Sequence, residues 1–249
     1  MLFKIRIKKL FKSFSKNIWK TAIEQANYRA IFYKNLYDKI KNTPIQKKDG
    51  VLLDVAGGDL KNTIEFRRAF NKVISLDISF SKDSIERANL NNLNLILADG
   101  HFIPFKNEYF KTITMISVIE HVEYPELVLK EVIRVLKSGG ELIIQFPNKM
   151  FPIEPHTGLL FIYYFPYFIR KRILKLMGYE YYLDYVYSFP TMKMIHKWLK
   201  NKCFLTANEV VILPSLLVPS LIRPLYKLLV KLGILKIIPQ SWFVIYNKY

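Results

Sequence analysis

The chain has 249 residues, 51% of them hydrophobic, which is enough for one large α/β core and too apolar for a disordered segment. Its net charge of +18 divides into +10 over residues 1–50, −1 over 51–150 and +9 over 151–249, so an anionic partner is expected at the flanks and not in the middle. One cysteine, Cys203, excludes an internal disulfide framework and fits a reducing cytoplasm; no apolar run has the pattern of a membrane span or a cleaved leader.

Residues 1–20 place Phe3, Ile7, Leu10, Phe11, Phe14 and Ile18 on one helical face, with Lys4, Lys8, Lys12, Lys16 and Lys20 beside it. This predicts a basic amphipathic helix, either a surface anchor or an ordinary helix with a solvated face. A second helix is predicted over 22–41, ended by Thr43-Pro44. Residues 51–147 then alternate in pattern. Strands are expected at 51–55, 73–77, 94–98, 112–117 and 141–146. Helices are expected at about 61–70, 82–89 and 124–136, the last broken by Ser138-Gly139-Gly140.

Three of these strands close on an acid: VLLDVAGGD at 51–59, VISLD at 73–77 and LILAD at 95–99. Asp54, Asp77 and Asp99 stand 23 and 22 residues apart, about one strand–helix–strand repeat. A parallel sheet then carries the three carboxylates to one edge, where α/β folds bind their ligands. Gly57 and Gly58 let the backbone pass close to a ligand. Carboxylates without a Gly-x-Gly-x-x-Gly loop suit a ribose, an adenine and a cationic tail, and argue against a pyrophosphate and an NAD-dependent dehydrogenase.

From 148 to 190 the chain turns to Phe, Tyr and Pro, read as an insertion that covers the sheet edge and lines a pocket. A helix at about 191–201 and a strand near 204–212 follow. Residues 214–240 are apolar but cut by Pro214, Pro219, Pro224 and Pro239. Arg223, Lys227 and Lys231 share one helical face there, which predicts a surface amphipathic helix. WFVIYNKY is the closing strand.

Taken in order, LLDVAGGDL, SLDIS, LADGHFIPFKNEYF, ISVIEHV and LKSGGELIIQFPN resemble the class I S-adenosylmethionine-dependent methyltransferases that act on small molecules, lipids and quinones. The resemblance covers about residues 45–150. It implies an α/β, Rossmann-like seven-stranded sheet with helices on both faces and an aromatic insertion after strand five. With the patterns on either side of it, the chain divides into N-terminal helices acting as a cofactor lid (1–44), a cofactor-binding core (45–150), a substrate-pocket insertion (151–203) and C-terminal strands with an apolar amphipathic segment (204–249). S-adenosylmethionine is the implied cofactor. Asp77, with Ile78 beside it, matches the residue that accepts the ribose hydroxyls. Asp99, Gly100 and His101 match the adenine-edge segment. Asp54, Ala56, Gly57 and Gly58 match the loop at the methionine end, and Ser117 completes the set. The family loop reads Asp-x-Gly-x-Gly-x-Gly; its glycine positions here hold Ala56, Gly58 and Leu60, and Lys111 replaces a family acid. Ala56 is a mild change if its φ is negative.

Methyl transfer from a sulfonium is an in-line displacement that needs alignment and dryness, and an oxygen acceptor must also lose a proton. O-methyl transfer is the favoured reaction. Of four histidines, His101 belongs with the adenine segment and His196 reads as structural. His156, two residues after Glu154, is the favoured base, with a backbone-bonded packing histidine as the plain alternative; His121 is the second choice. No metal is expected, because no His/Cys/Asp set shows ligand spacing. An aromatic insertion between basic flanks points to a small-molecule, lipid or glycan acceptor. It also suggests a cytoplasmic protein held peripherally at an anionic membrane face. Nucleic acid is the weaker partner, since no appended module or basic–aromatic stripe is present. The competing readings are an RNA methyltransferase and a non-catalytic binding protein of the same fold, the latter favoured by Ala56 and Leu60.

Overall fold

The computed structural model describes residues 26–41, 48–154, 156–157, 159–179, 182–183, 186–212 and 223–249. The amphipathic helix expected over 1–20 and the first part of the 214–240 segment lie outside them. The strands are β1 (Lys48–Val55), β2 (Phe70–Asp77), β3 (Asn94–Leu97), β4 (Phe110–Ile116), β5 (Leu136–Pro147), β6 (Cys203–Val211) and β7 (Ser241–Lys248). They form one sheet in the order β3-β2-β1-β4-β5-β7-β6. The first five strands run parallel; β7 lies antiparallel between β5 and β6. The order reverses between β1 and β4, which opens a crevice at their carboxyl ends.

Helices α1 (Ala26–Lys41), α2 (Lys61–Arg67), α3 (Lys82–Leu90), α4 (Pro125–Val135), α5 (Tyr167–Met177), α6 (Met192–Leu199), α7 (Arg223–Lys231) and α8 (Ile234–Ile237) complete the chain. Local chemistry sets several of their ends. Ser81 caps α3 by accepting from the Ser84 N–H at 3.1 Å, and Pro125 opens α4 where its missing N–H costs nothing. Gly178, at φ +80°, closes α5.

Alternation along the strands builds a core on each face of the sheet. Leu52, Ile143, Phe243 and Ile245 meet Tyr33 and Tyr37 of α1 and Phe66 of α2 on one side. Leu53, Val55, Ile113, Met115, Leu142 and Ile144 meet Val128, Leu129 and Val132 of α4 and Ile195 and Leu199 of α6 on the other. A fully buried Phe such as Phe66 or Phe243 stabilises the fold by about 1.5–3 kcal/mol. The α1 segment, expected as part of a cofactor lid, buries Ala30, Tyr33 and Tyr37 in this packing. Its Tyr37 hydroxyl donates to Glu141 at 2.9 Å.

Two boundaries differ from the sequence reading. Helix α4 ends at Val135, and Ser138-Gly139-Gly140 lies inside β5, where the register passes from Phe110 opposite Leu136 to Thr112 opposite Glu141. The glycines form a bulge, since Gly139 has φ +68° and a Cβ at Gly140 would come within 2.9 Å of two carbonyls. The aromatic insertion builds a small core of its own from Ile162, Tyr163, Leu174, Tyr179, Tyr182 and Val186. Cys203 opens edge strand β6, is 7% exposed, and burial pushes its thiol up to about 11.

Candidate cofactor and active site

A cavity of about 750 Å³ lies at the carboxyl ends of β1, β2 and β4. Ala56, Gly58, Asp77, Ile78, Asp99, Gly100, His101, Ser117 and His121 all line it, so the fold gathers most of the residues singled out in the sequence. Asp59 and Glu123 add two more carboxylates, and no Lys or Arg lines it among the described residues. An acidic wall of this kind suits hydroxyl, amine and sulfonium groups and repels a pyrophosphate.

The loop after β1 is shaped by three left-handed residues: Ala56 at φ +57°, Gly58 at φ +52° and Leu60 at φ +63°. These are the three glycine positions of the family loop. The mild reading of Ala56 therefore fails, because its φ is positive. A non-glycine residue costs about 1–2 kcal/mol in that region. Leu60 offsets the cost by complete burial, while Ala56 is exposed and has no such return. Gly57 is required for space: a Cβ there would lie 1.9 Å from Ser75 Oγ.

Asp77 ends β2 with Oδ2 accepting from the Gly58 N–H at 2.8 Å and Oδ1 from the Ser79 N–H at 3.1 Å. Each oxygen keeps a second acceptor position. Ile78 beside it is 72% exposed, an apolar side chain at the cavity mouth. Asp99 Oδ1 accepts from the His101 N–H at 2.9 Å and pairs with His101 Nδ1 at 2.7 Å. The backbone bond from His101 holds the Asp99 carboxyl below the usual range, with further help from the His101 ring. The other ring atom, His101 Nε2, is buried with no hydrogen-bond partner among the described residues. An orphaned polar atom at the wall of an acidic cavity fits a polar, hydrogen-bonding ligand of adenosine type.

Asp54 and Gly57, expected at the methionine end, do not line the cavity and stand behind it. Asp54 is 2% exposed and accepts from the Thr63 and Thr114 hydroxyls, tying β1 to α2 and β4. Burial raises its carboxyl from 3.8 to about 6, against the lowering effect of those two bonds. The sequence reading also missed Arg134 and Glu131 of α4. Arg134 donates to the carbonyls of Ile103 and Phe105, and Glu131 accepts from the Ile103 N–H at 3.1 Å. They hold the 99–107 segment from behind. A basic residue late in an apolar helix was the only sequence signal for this.

The two candidate bases fall into one corner. His121 lies in a short 3-10 turn, Ile119–His121, and lines the cavity. His156 is not in the lining; its ring stands 5.1 Å from that of His121, centre to centre, and edge-on. His156 Nδ1 lies 2.7 Å from Glu154 Oε1, and Glu154 also accepts from the Tyr163 hydroxyl at 2.7 Å and from the Thr157 N–H. Burial alone would raise Glu154, but the His156 charge and these bonds outweigh it and hold the carboxyl low. Burial likewise lowers His156, and the Glu154 carboxylate more than reverses this. Glu120, 1% exposed, joins them, with its carboxyl pushed by burial to about 7. Ligand atoms of Glu120, His121 and His156 lie within 4.8 Å of one another. Chain folding thus brings together three potential ligand residues that sequence spacing did not show, joining His121 to His156 across 35 positions. His196 bonds Tyr246 at 2.6 Å, away from this corner.

Of the aromatic insertion, Tyr187 lines the cavity, while Tyr163, Tyr179 and Tyr182 are buried in its own core.

Residues 53–144 match the family described as Methyltransferase domain. The uncharacterized protein MJ1123 of Methanocaldococcus jannaschii is 34% identical over 114 residues, 46% of this chain and 51% of that protein. The ubiquinone/menaquinone biosynthesis C-methyltransferase UbiE of Neisseria meningitidis is 30% identical over 148 residues, 55% of this chain and 56% of the enzyme. The chain thus spans about half the length of these relatives. A solved SAM-dependent methyltransferase from Methanosarcina mazei superposes with a TM-score of 0.58 at 16% identity, covering 84% of this chain and 96% of that one, and shares its fold. Strand order, acidic cavity and sequence match agree: residues 53–144 are a domain of the class I S-adenosylmethionine-dependent methyltransferase family, and S-adenosylmethionine is its cofactor.

Proposed function

We propose that the chain transfers a methyl group from S-adenosylmethionine to an oxygen of a small-molecule acceptor with lipid or glycan character. The observation that carries this reading is the placement of His121 in the same cavity as Asp77 and Asp99. Asp77 and Ile78 would hold the ribose. Asp99, Gly100 and His101 would hold the adenine, with the His101 Nε2 atom as an extra polar contact. The backbone of Ala56 and Gly58, with Ser117 opposite, would flank the amino-acid tail. When bound, the cofactor supplies a methyl group on a sulfonium, a leaving group that needs no acid help. The protein's own work is to orient the acceptor, exclude water and accommodate its proton loss at the His121 corner. His121 faces the cavity, so it would meet the acceptor, and His156 stands edge-on behind it.

A membrane surface is the setting we propose. Phe161, Tyr164, Phe165, Tyr167 and Phe168 are 43–62% exposed ahead of Arg170, Lys171 and Arg172 on α5. Arg223, Lys227 and Lys231 on α7 lie beside exposed Leu228 and Leu232. Aromatic rings next to cations suit the interface of an anionic bilayer. Among the described residues no helix is long and apolar enough to cross a membrane.

Titration calorimetry with S-adenosylmethionine and its demethylated product tests the cofactor reading; micromolar affinity, about −8 kcal/mol, is expected. Extracts incubated with protein and radiolabelled cofactor should then yield a labelled lipid-soluble product. Binding without any labelled product would favour the second reading, a non-catalytic binding protein, for which the strained Ala56 is the specific observation. Sedimentation with anionic but not neutral vesicles, weakened by salt, tests the membrane setting.

A further inference from the structure

We infer that Glu120, His121 and His156 form a binding site for a transition-series divalent cation, with Glu154 as the outer carboxylate that orients His156. Four observations carry this. The three ligand atoms converge within 4.8 Å. Bonds of about 2.0–2.2 Å set tetrahedral ligand atoms roughly 3.3 Å apart, so side-chain rotation of roughly an ångström closes the site. Glu120 is 1% exposed, and its Oε2 atom is buried with no hydrogen-bond partner among the described residues. A buried carboxylate oxygen left bare is costly unless something else meets it.

The third observation is Glu154. It occupies His156 Nδ1 at 2.7 Å, which assigns the opposite ring atom, Nε2, to any ligand. Metal-bound imidazoles are commonly held by a carboxylate in this way. Glu154 is itself fixed by Tyr163 and Thr157, so the orientation is rigid. The fourth is backbone support: the Glu120 carbonyl accepts from the N–H groups of Tyr187 and Ser188, tying the 3-10 turn to the insertion that carries His156. Charge counting agrees. Two buried carboxylates, Glu120 and Glu154, balance one divalent cation when both imidazoles are neutral. Arg29 of α1 lies near enough to influence His156 and is the competing positive group.

Two imidazole nitrogens and one carboxylate oxygen select zinc, iron(II) or their neighbours over magnesium or calcium, which prefer oxygen ligands alone. His121 lines the cavity, so the cation would border it and could bind an acceptor oxygen. That last role rests on the methyltransferase reading; the site itself does not.

The test is zinc titration of the tag-free, chelator-treated full chain by calorimetry, with thermal melting in parallel. One site per chain and a raised melting temperature are expected. His121→Ala and Glu120→Gln should each weaken zinc binding by tenfold or more, and Glu154→Gln by about 10–100-fold. His196→Ala should leave zinc binding unchanged, whatever it does to the melting temperature through its bond to Tyr246. His121 is partly exposed, so His121→Ala should melt like the wild type without zinc even if the buried variants do not fold. Absence of stoichiometric binding, or binding unchanged in His121→Ala, overturns the site. Zinc-free protein should still bind S-adenosylmethionine. Cofactor binding without zinc binding would refute the cation site alone, and zinc binding without cofactor binding would refute the methyltransferase reading alone.

Discussion

The cavity has two kinds of wall, and they are built by different physics. On the side of β1 and β2 the wall is backbone: three left-handed residues in five positions, with Asp77 held by two N–H groups of its own neighbourhood. On the other side it is side chain: His121 lines the cavity, with Glu120 and His156 gathered behind it from a 3-10 turn and a distant insertion and braced by buried Glu154 and Tyr163. The first wall depends on local chain geometry. The second depends on the insertion folding correctly onto the sheet. Substitutions should therefore separate cofactor binding from turnover, and loop strain from both.

The largest effect is expected at the second wall. His121→Ala should lower turnover by about 10²–10⁴-fold while S-adenosylmethionine affinity, measured calorimetrically, changes little. A proportional loss of both would mean that His121 belongs to the cofactor wall and the division fails.

Asp54 tests the foundation under the first wall. Its folded pKa of about 6 lies above the unfolded value near 3.8, so the folded state binds the extra proton between these limits. Stability from this group is complete below about pH 4 and is lost as pH rises through about 6, a difference of ~3 kcal/mol. Urea midpoints of the wild type should show this decline, and Asp54→Asn should remove it.

Asp77→Ala should weaken S-adenosylmethionine by about 1.5–3 kcal/mol, since a charge-assisted acceptor is lost and the Gly58 N–H is released. Unchanged affinity with a collapsed melting temperature would make Asp77 a structural brace like Asp54.

The smallest expected effect is a gain. Ala56→Gly should raise stability by about 0.5–1 kcal/mol, because relief of the left-handed strain exceeds the entropy cost of glycine. A chemical denaturation series reads it directly. No gain would mean that the loop relaxes to negative φ in solution.

These contrasts also explain what the amino-acid sequence revealed. Strand positions and the acids at their ends were legible because both are local: an apolar run closed by Asp77 or Asp99 carries its meaning within five residues. Asp54 carries the same local signature but is buried behind the cavity. Its side chain points to Thr63 and Thr114, and only the packing of α2 against β1 and β4 shows that. The φ of Ala56 was likewise set by the loop and not by the residue. The Glu120–His121–His156 corner was hidden for the opposite reason: its histidines stand 35 positions apart, and no spacing rule spans such a distance. Both histidines stand out in the sequence, but only the cavity distinguishes them: His121 faces it and His156 does not.

The lone thiol offers an unplanned instrument. Cys203 lies sealed at the start of an edge strand, beside the antiparallel pair that closes the sheet. With its proton held to about 11 and little surface showing, it reacts with an alkylating reagent only when that edge opens. No other cysteine competes for label. The rate of modification is therefore a single-site clock for fraying of β6 from β7, free of any engineered probe. Slower ticking in the presence of cofactor would show that the far margin of the sheet senses what is bound over its centre.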